Sequence, residues 1–535
     1  MNFDAMVYES PSRRTVVYAQ KGMVATGQPL AAQAGLDVLK KGGNAVDAAI
    51  ATAAALTVVE PTSNGIGGDN FALVWMKDEL HGLNSSGQAP ASISIPALKD
   101  RGLEEIPSHG LVPVTVPGAP GGWAELSKRF GRLPFSEVLA PAIRYAEEGY
   151  PVSPTVASHW ASAFGSYSRK LEGEVFQGWF DTFAPGGHTP KAGELVRLPH
   201  HARTLRLIGE TSGEAFYRGE LAEKIHAFSR EHDGFLQDTD LAVYEPEWVK
   251  PISVEYRGCN VWEIPPNGHG IVALMALNIA RGFEFRERKT VETVHRQIEA
   301  MKLAYADGRK FVADPRSMQV TAEQLLSENY AAARRRLIGD EALQPEPGDP
   351  ATGGTVYLAT ADGDGNMVSM IQSNYMGFGS GVVIPETGIA LHNRGHNFTL
   401  EEGHDNMLAG GKKPYHTIIP GFLTKDGKAV GPFGVMGGFM QPQGHLQVIM
   451  NTLDFGMNPQ AALDCYRWMW MKDRTVQVEP GFPEELAKGL EEKGHIIQRM
   501  DDFTDFGRGQ IIWRDDDGVL CGGTEPRTDG TIAAW

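Results

Sequence analysis

The stretch GGTVYLATADGDGNMVSMIQSNYMGFGSG, residues 353–381, decides the reading of this chain. Thr355 to Ala361 (TVYLATA) is rich in β-branched and apolar residues and predicts a strand. Asp362 to Asn366 (DGDGN) is turn chemistry, and Met367 to Ser373 (MVSMIQS) predicts the returning strand of a β-hairpin with a glycine-rich exit. The start of the hairpin carries the chemistry. Thr355 opens an apolar strand directly after two glycines, at the end of the polar, proline-bearing segment Asp340 to Gly354.

A threonine there has a plain reading, the first strand residue after a flexible loop. It also has a chemical one. If the Gly354–Thr355 bond is cut, Thr355 becomes a new N-terminus, and its α-amine can act as general base for its own hydroxyl. An α-amine titrates near ~7.7–8.0, so a useful fraction is neutral at physiological pH. The two glycines carry no Cβ and permit the strained geometry in which the Thr355 hydroxyl reaches the Gly354 carbonyl.

A chain of 535 residues predicts about three or four domains, or one large α/β unit. The formal charge of −17 speaks against nucleic acid and anionic membranes as partners. Cys259, Cys465 and Cys521 lie far apart, form no metal motif and predict a reducing compartment. The N-terminal MNFDAMVYESPSRR lacks the apolar core of a secretory signal. The longest apolar run, Ala48 to Val59, is too short to cross a bilayer. A cytoplasmic protein without a membrane partner is the expectation.

Pro29 suits the first position of a helix that carries Ala32, Leu36 and Leu39 at helical spacing and stops at Gly42-Gly43. Asn44 can cap a second helix, Ala45 to Val59, apolar nearly all round and therefore buried. The loop Ser63 to Asn70 (SNGIGGDN) leads into a strand from Phe71 to Met76, and no GK[ST] follows to make it a phosphate loop. Lys289 to Phe311 predicts a long amphipathic helix, Ile338 to Gly354 an exposed linker, and Asp515 to Gly518 a hairpin turn.

Of two metal readings one fails on chemistry, and the other, a metal-dependent hydrolase using His392 and His396, is the weaker alternative. The DGDGN turn has Met367 and Ser373 where a calcium loop needs glycine and glutamate. His392 and His396 have a spacing that could hold a metal on a helix, but their surroundings do not read as helix and no third ligand is evident. The pair Gly437-Gly438 in FGVMGGFMQPQGH can either make a tight turn or aim backbone N–H groups at a developing oxyanion.

The ordered series GGNAVDAAIATAAALTVVEPTSNGIGGDNFALV (42–74), VPGAPGGW (116–123), FGRLPF (130–135), PAIRYAEEGYPVS (141–153) and GGTEPRTDG (522–530) resembles the γ-glutamyltranspeptidase family along essentially the whole chain. The resemblance implies an N-terminal-nucleophile hydrolase with an αββα sandwich, made as a precursor that cuts itself before a threonine. That threonine would be Thr355, giving a large subunit of residues 1–354 and a small one of 355–535 in one intertwined unit. A homodimer of such processed heterodimers is the assembly it allows. It further implies a small-molecule amide substrate, water or an amine as acyl acceptor, and no metal or organic cofactor. Gly437 and Gly438 fall on the family's oxyanion glycines, and Ser373 on a hydroxyl residue that hydrogen-bonds the nucleophile.

The family's γ-glutamyl clamp does not carry over. Ser86, in SSGQAPA, stands where the family has an arginine, and His416-Thr417, in KPYHTIIP, replaces paired serines. A family asparagine falls on Tyr375 beside Asn374, a glutamine on Arg394 and an aspartate on Asn397. A serine does not replace a bidentate arginine–carboxylate contact. This pattern is similar to the family's non-transpeptidase branch, which includes oxamate amidohydrolase and cephalosporin-acylase-like proteins. It implies an amidohydrolase for a polar or carboxylate-bearing acyl group without an α-amine, with Arg394 supplying positive charge. A γ-glutamyl hydrolase or transpeptidase acting on glutathione-like substrates is the alternative. An inactive binding or scaffold protein is the alternative of another class.

Overall fold

The computed structural model describes residues 14–345 and 354–535. The hairpin forms from strands Gly354–Asp362 and Met367–Tyr375, paired antiparallel with Tyr357 opposite Ile371. Its turn is organised by one carboxylate. Asp362 Oδ1 accepts the amides of Asp364 and Asn366, each at 3.0 Å, and Oδ2 accepts Asn366 Nδ2 and the Ala45 amide, each at 2.9 Å. The last bond ties the turn to the start of the Ala45–Val59 helix.

The hairpin lies inside a seven-stranded sheet whose order is Thr531–Ala534, Gly22–Thr26, Gly354–Asp362, Met367–Tyr375, Asp69–Met76, Glu79–Ser85 and Glu247–Val249. A second seven-stranded sheet runs Val17–Ala19, Leu520–Thr524, Arg508–Arg514, Lys428–Met436, Gly421–Lys425, Cys259–Glu263 and Ile252–Tyr256. Phe71, Leu73, Tyr357, Ile371, Phe422 and Ile512 pack between the two sheets. Gly434 permits that close approach, since a Cβ there would lie 2.4 Å from the Tyr357 ring.

Each outer face is covered by helices. Ala45–Val59 is buried along its full length, as its all-round apolar sequence requires, and packs with Pro29–Lys40 and Phe135–Glu148 over the first sheet. Gly270–Ala280, Val291–Phe311 and Met440–Leu453 build the core over the second. The result is an αββα sandwich. Both sheets mix strands from either side of the Gly354–Thr355 bond.

The helix expected from Lys289 begins at Val291, capped by the Thr290 hydroxyl. The expected exposed linker is exposed at Gly339, Asp340, Glu341 and Gln344, and is anchored to the core at a few points. Ala342 and Pro345 are buried, Leu343 N donates to Glu299 Oε2 at 3.1 Å, and Lys302 Nζ donates to the Leu343 carbonyl at 3.0 Å. Its remainder, 346–353, lies outside the described residues. The Asp515 turn forms as read, with Asp515 Oδ1 accepting the amides of Asp517 and Val519. Cys259, Cys465 and Cys521 are all buried thiols outside any disulfide. No helix among the described residues is long and apolar enough to cross a membrane.

Because Asp362 satisfies four donors in two elements, Asp362→Ala should destabilise the protein by about 1–3 kcal/mol. A urea midpoint lower than wild type checks this; an unchanged midpoint would show that water satisfies the freed donors.

Candidate active site

Neighbouring strands of the first sheet bring their ends together on one edge. Gly354 faces Tyr375, Ser373 faces Asp69, and Asn70 faces Ser85. The register shifts between Gly354 and Val356, so Thr355 sits at a bulge. Its Oγ1 lies 3.1 Å from Ser373 Oγ. Ser373 Oγ also accepts the Tyr375 amide at 2.7 Å and Arg394 Nη2 at 3.2 Å. Two N–H groups thus donate to Ser373 Oγ, and either hydroxyl can donate across its contact with Thr355 Oγ1.

Arg394 continues the chain. It is fully buried, its Nη1 donates to Thr417 Oγ1 at 2.6 Å, and its guanidinium lies 4.4 Å from the centre of the Tyr375 ring. Tyr375 takes the left-handed φ of +76°, a strained backbone for a large side chain. Burial pulls the Arg394 pKa down to about 10, against the opposing pull of the Asp69 carboxylate.

Asp69 is the partner charge. Its Oδ1 accepts the Gly118 amide at 3.1 Å, and its Oδ2 lies 2.9 Å from His416 Nε2. Burial pushes its carboxyl up to about 7, with Arg394 pulling the other way. Burial, then the Arg394 charge, holds His416 well below its ordinary value, so it stays neutral.

The remaining sequence-derived positions divide. Asn374 is fully buried, and neither its Oδ1 nor its Nδ2 has a hydrogen-bond partner. It packs against Gly65 and Gly68, where a Cβ would come within 2.9 and 2.8 Å of its amide. Ser86 bonds elsewhere, to Asn84 Oδ1 at 2.8 Å and to Asn267 Nδ2 at 3.3 Å. Asn397 Nδ2 donates to the Tyr415 carbonyl at 3.0 Å. The structure thus joins Thr355, Ser373, Tyr375, Arg394 and Thr417 directly, sets His416 beside them through Asp69, and gives Ser86 and Asn397 other partners.

Gly437 and Gly438 follow the Lys428–Met436 strand and precede the Met440–Leu453 helix, with φ of +133° and +55°. Both values favour glycine. Met436 lines a small cavity with Thr355, while Gly437 lines an adjoining cleft of about 490 Å³ with Ser63, Gly377, Lys170 and Arg508.

His392 and His396 do not converge. His392 Nε2 is 3.8 Å from Asp69 Oδ1, whereas His396 Nδ1 bonds the Ile106 carbonyl at 2.7 Å. Among the described residues, ligand atoms come within reach of one another at His295, Glu299 and His495. Lys302 Nζ, 2.7 Å from Glu299 Oε1, already answers that carboxylate.

Sequence reasoning missed Asp69, Glu60, Arg508 and Gln510. Asp69 had one available signal, an acidic residue directly after the Gly-Ile-Gly-Gly loop at the start of an apolar strand.

The sequence matches the family model described as Gamma-glutamyltranspeptidase over residues 31–535. The chain belongs to the γ-glutamyltranspeptidase family. It is 35% identical over 525 residues to the glutathione hydrolase-like YwrD proenzyme of Bacillus subtilis (strain 168), covering 96% of this chain and 98% of that one. The oxamate amidohydrolase proenzyme of Klebsiella pneumoniae is 33% identical over 529 residues, at 96% and 98% coverage. The crystal structure of cephalosporin acylase from Bacillus halodurans superposes with a TM-score of 0.96 at 65% identity, covering 100% of this chain and 99% of that one. The chain is therefore an enzyme of this family's hydrolase and acylase kind.

A side chain at the second glycine would distort the turn before the Met440–Leu453 helix. If the glycine pair supplies oxyanion donors, Gly438→Val should lower turnover by at least roughly tenfold, since one lost donor costs about 2.7–4 kcal/mol of transition-state stabilisation. Full turnover in a variant with unchanged circular dichroism would move the oxyanion donors elsewhere.

Proposed function

We propose that this protein is an autoprocessing N-terminal-threonine amidohydrolase that forms an acyl-enzyme on Thr355. The observation that carries the reading is the buried chain from Thr355 Oγ1 through Ser373 Oγ to Arg394. Ser373 holds the Thr355 hydroxyl in place, and the α-amine created by scission after Gly354 is the base for its proton. In each turnover the amine takes that proton while Oγ1 bonds the substrate carbonyl carbon. The backbone N–H groups of Gly437 and Gly438 receive the oxyanion. The C–N bond then breaks, and the leaving nitrogen takes the proton from the ammonium. Water repeats the sequence on the ester, releasing the acid and restoring the threonine.

The substrate class follows from which charges the site can answer. A γ-glutamyl group brings a carboxylate and an ammonium, and each needs a partner once desolvated. Arg394 is a cation and suits a carboxylate. Ser86 and Asn397 carry no charge and are bonded to other groups. This favours a carboxylate-bearing or otherwise polar acyl group without an α-amine, such as a dicarboxylic monoamide or an oxamate-like amide. The relatives described as a cephalosporin acylase and an oxamate amidohydrolase are consistent with it. Glutathione hydrolysis is the second reading, favoured by the relative described as glutathione hydrolase-like.

Purified protein should resolve on a denaturing gel as two chains, the smaller beginning TVYLATAD, whereas Thr355→Ala should stay full length. Cleavage of Thr355→Ala at the same bond would assign the cut to a contaminating protease. On substrates, glutaryl anilide should show a higher kcat/KM than γ-glutamyl anilide. The opposite order would reject the proposed acyl specificity and leave the glutathione reading standing.

A further inference from the structure

Thr355 has a second polar flank that the steps above do not use. The Gly354–Asp362 strand has the Ser373 strand on one edge and the Gly22–Thr26 strand on the other. Gly27, just beyond that other neighbour, joins Glu60, Thr355, Met436, Arg508 and Gln510 around a cavity of about 10 Å³. This is room for about one water-sized group. Two acceptors in its walls lack a donor, Glu60 Oε2 and Gln510 Oε1. Glu60 is 3% exposed and Gln510 1%. Both are fixed by their elements. Glu60 caps the end of the Ala45–Val59 helix, and its carbonyl accepts Asn64 Nδ2 at 2.8 Å. Gln510 lies on the Arg508–Arg514 strand opposite Gly434.

Two buried acceptors without a donor suit a small group rich in N–H. Scission before Thr355 creates one at the wall of this cavity, an α-ammonium with three donors and no acceptor. We propose that Glu60 and Gln510 form the receptor for the α-amine released at Thr355, with Glu60 as the positioning residue that holds the amine beside the Thr355 hydroxyl. The proposal rests on Thr355 becoming the N-terminus of the small chain.

The charges around the amine set the expected sign. The Glu60 carboxylate favours the ammonium and raises the pH at which the amine becomes a base. Arg508 opposes it from the same cavity, with its Nη2 2.9 Å from His159 Nε2. Asp505, Glu525 and Asp529 surround Arg508, while Arg394 and Asp69 lie beyond Ser373. Burial raises the Glu60 carboxyl to about 7, with Arg508 pulling it down and Asp529 pushing it up, so Glu60 and the amine titrate as a coupled pair.

The test uses the processed enzyme as wild type, Glu60→Gln and Gln510→Glu. The α-amine pKa is read by pH-dependent acetylation of the small chain's N-terminal peptide with mass spectrometry, beside the acid limb of kcat/KM. Glu60→Gln should move both down by about one pH unit, and Gln510→Glu should move both up by a similar amount. If Glu60→Gln remains uncut, Gln510→Glu decides alone. A processed wild type whose amine pKa moves in neither variant overturns the receptor but leaves the nucleophile standing. A wild type with no Thr355 N-terminus overturns the nucleophile, and the receptor with it.

Discussion

Arg394 has no contact with solvent, and a cation in that position needs partners within the protein. Taking a guanidinium out of water costs several kcal/mol unless hydrogen bonds and an opposite charge replace the lost hydration. Here the replacements are two hydroxyls, the face of one ring and the charge of Asp69. They come from the return strand of the hairpin, the segment before the Gly421–Lys425 strand, and the strand beside Ser373. One side chain therefore fixes three segments relative to Thr355. The left-handed backbone of Tyr375 is part of the same arrangement, because it sets the ring beneath the guanidinium.

The opposite flank repeats the device with different residues. Glu60 and Arg508 face Thr355 as Asp69 and Arg394 do, and each carboxyl is raised to about 7 by burial while its arginine pulls it down. Each couple sets one carboxyl against one arginine, one beside Thr355 and one beyond Ser373. Little of this assembly can relax. Thr355 begins a strand whose Tyr357 is wedged between the sheets, against a glycine that leaves the ring just enough room.

Much of the fold was legible in the sequence because it is written in local patterns. The Ala45–Val59 helix announced its burial by being apolar on all sides, and Asn44 its start. The hairpin announced its register. With DGDGN as its turn, Ser373 must return to the Thr355 end, and the 3.1 Å contact between the hydroxyls follows from that count. Asp69, Glu60 and Gln510 were missed for the converse reason. Each is a single polar residue next to an apolar run, and only the pairing of strands distant in sequence gives it a partner. The anchoring of the linker's described part at Leu343 was not legible because composition shows solvent preference, while the anchors are Glu299 and Lys302, some forty residues away.

The unsatisfied groups around Thr355 are not distributed at random. Toward Ser373 the unpaired atoms include donors, Arg394 Nε and Asn374 Nδ2, along with Asn374 Oδ1. Toward Glu60 they are acceptors, Glu60 Oε2 and Gln510 Oε1. A buried donor or acceptor left unpaired is costly, so each flank favours a ligand of complementary kind. The donor side suits an oxygen-rich acyl group, and the acceptor side suits an amine. On the proposed mechanism these are the two groups that must meet at the Thr355 hydroxyl, the carbonyl to be attacked and the base that takes the proton. An acyl group carrying its own ammonium would put N–H groups on the donor side, where Arg394 repels them. On the proposed function, the polarity that favours a base on one flank would select, on the other, against the α-amine of a γ-glutamyl substrate.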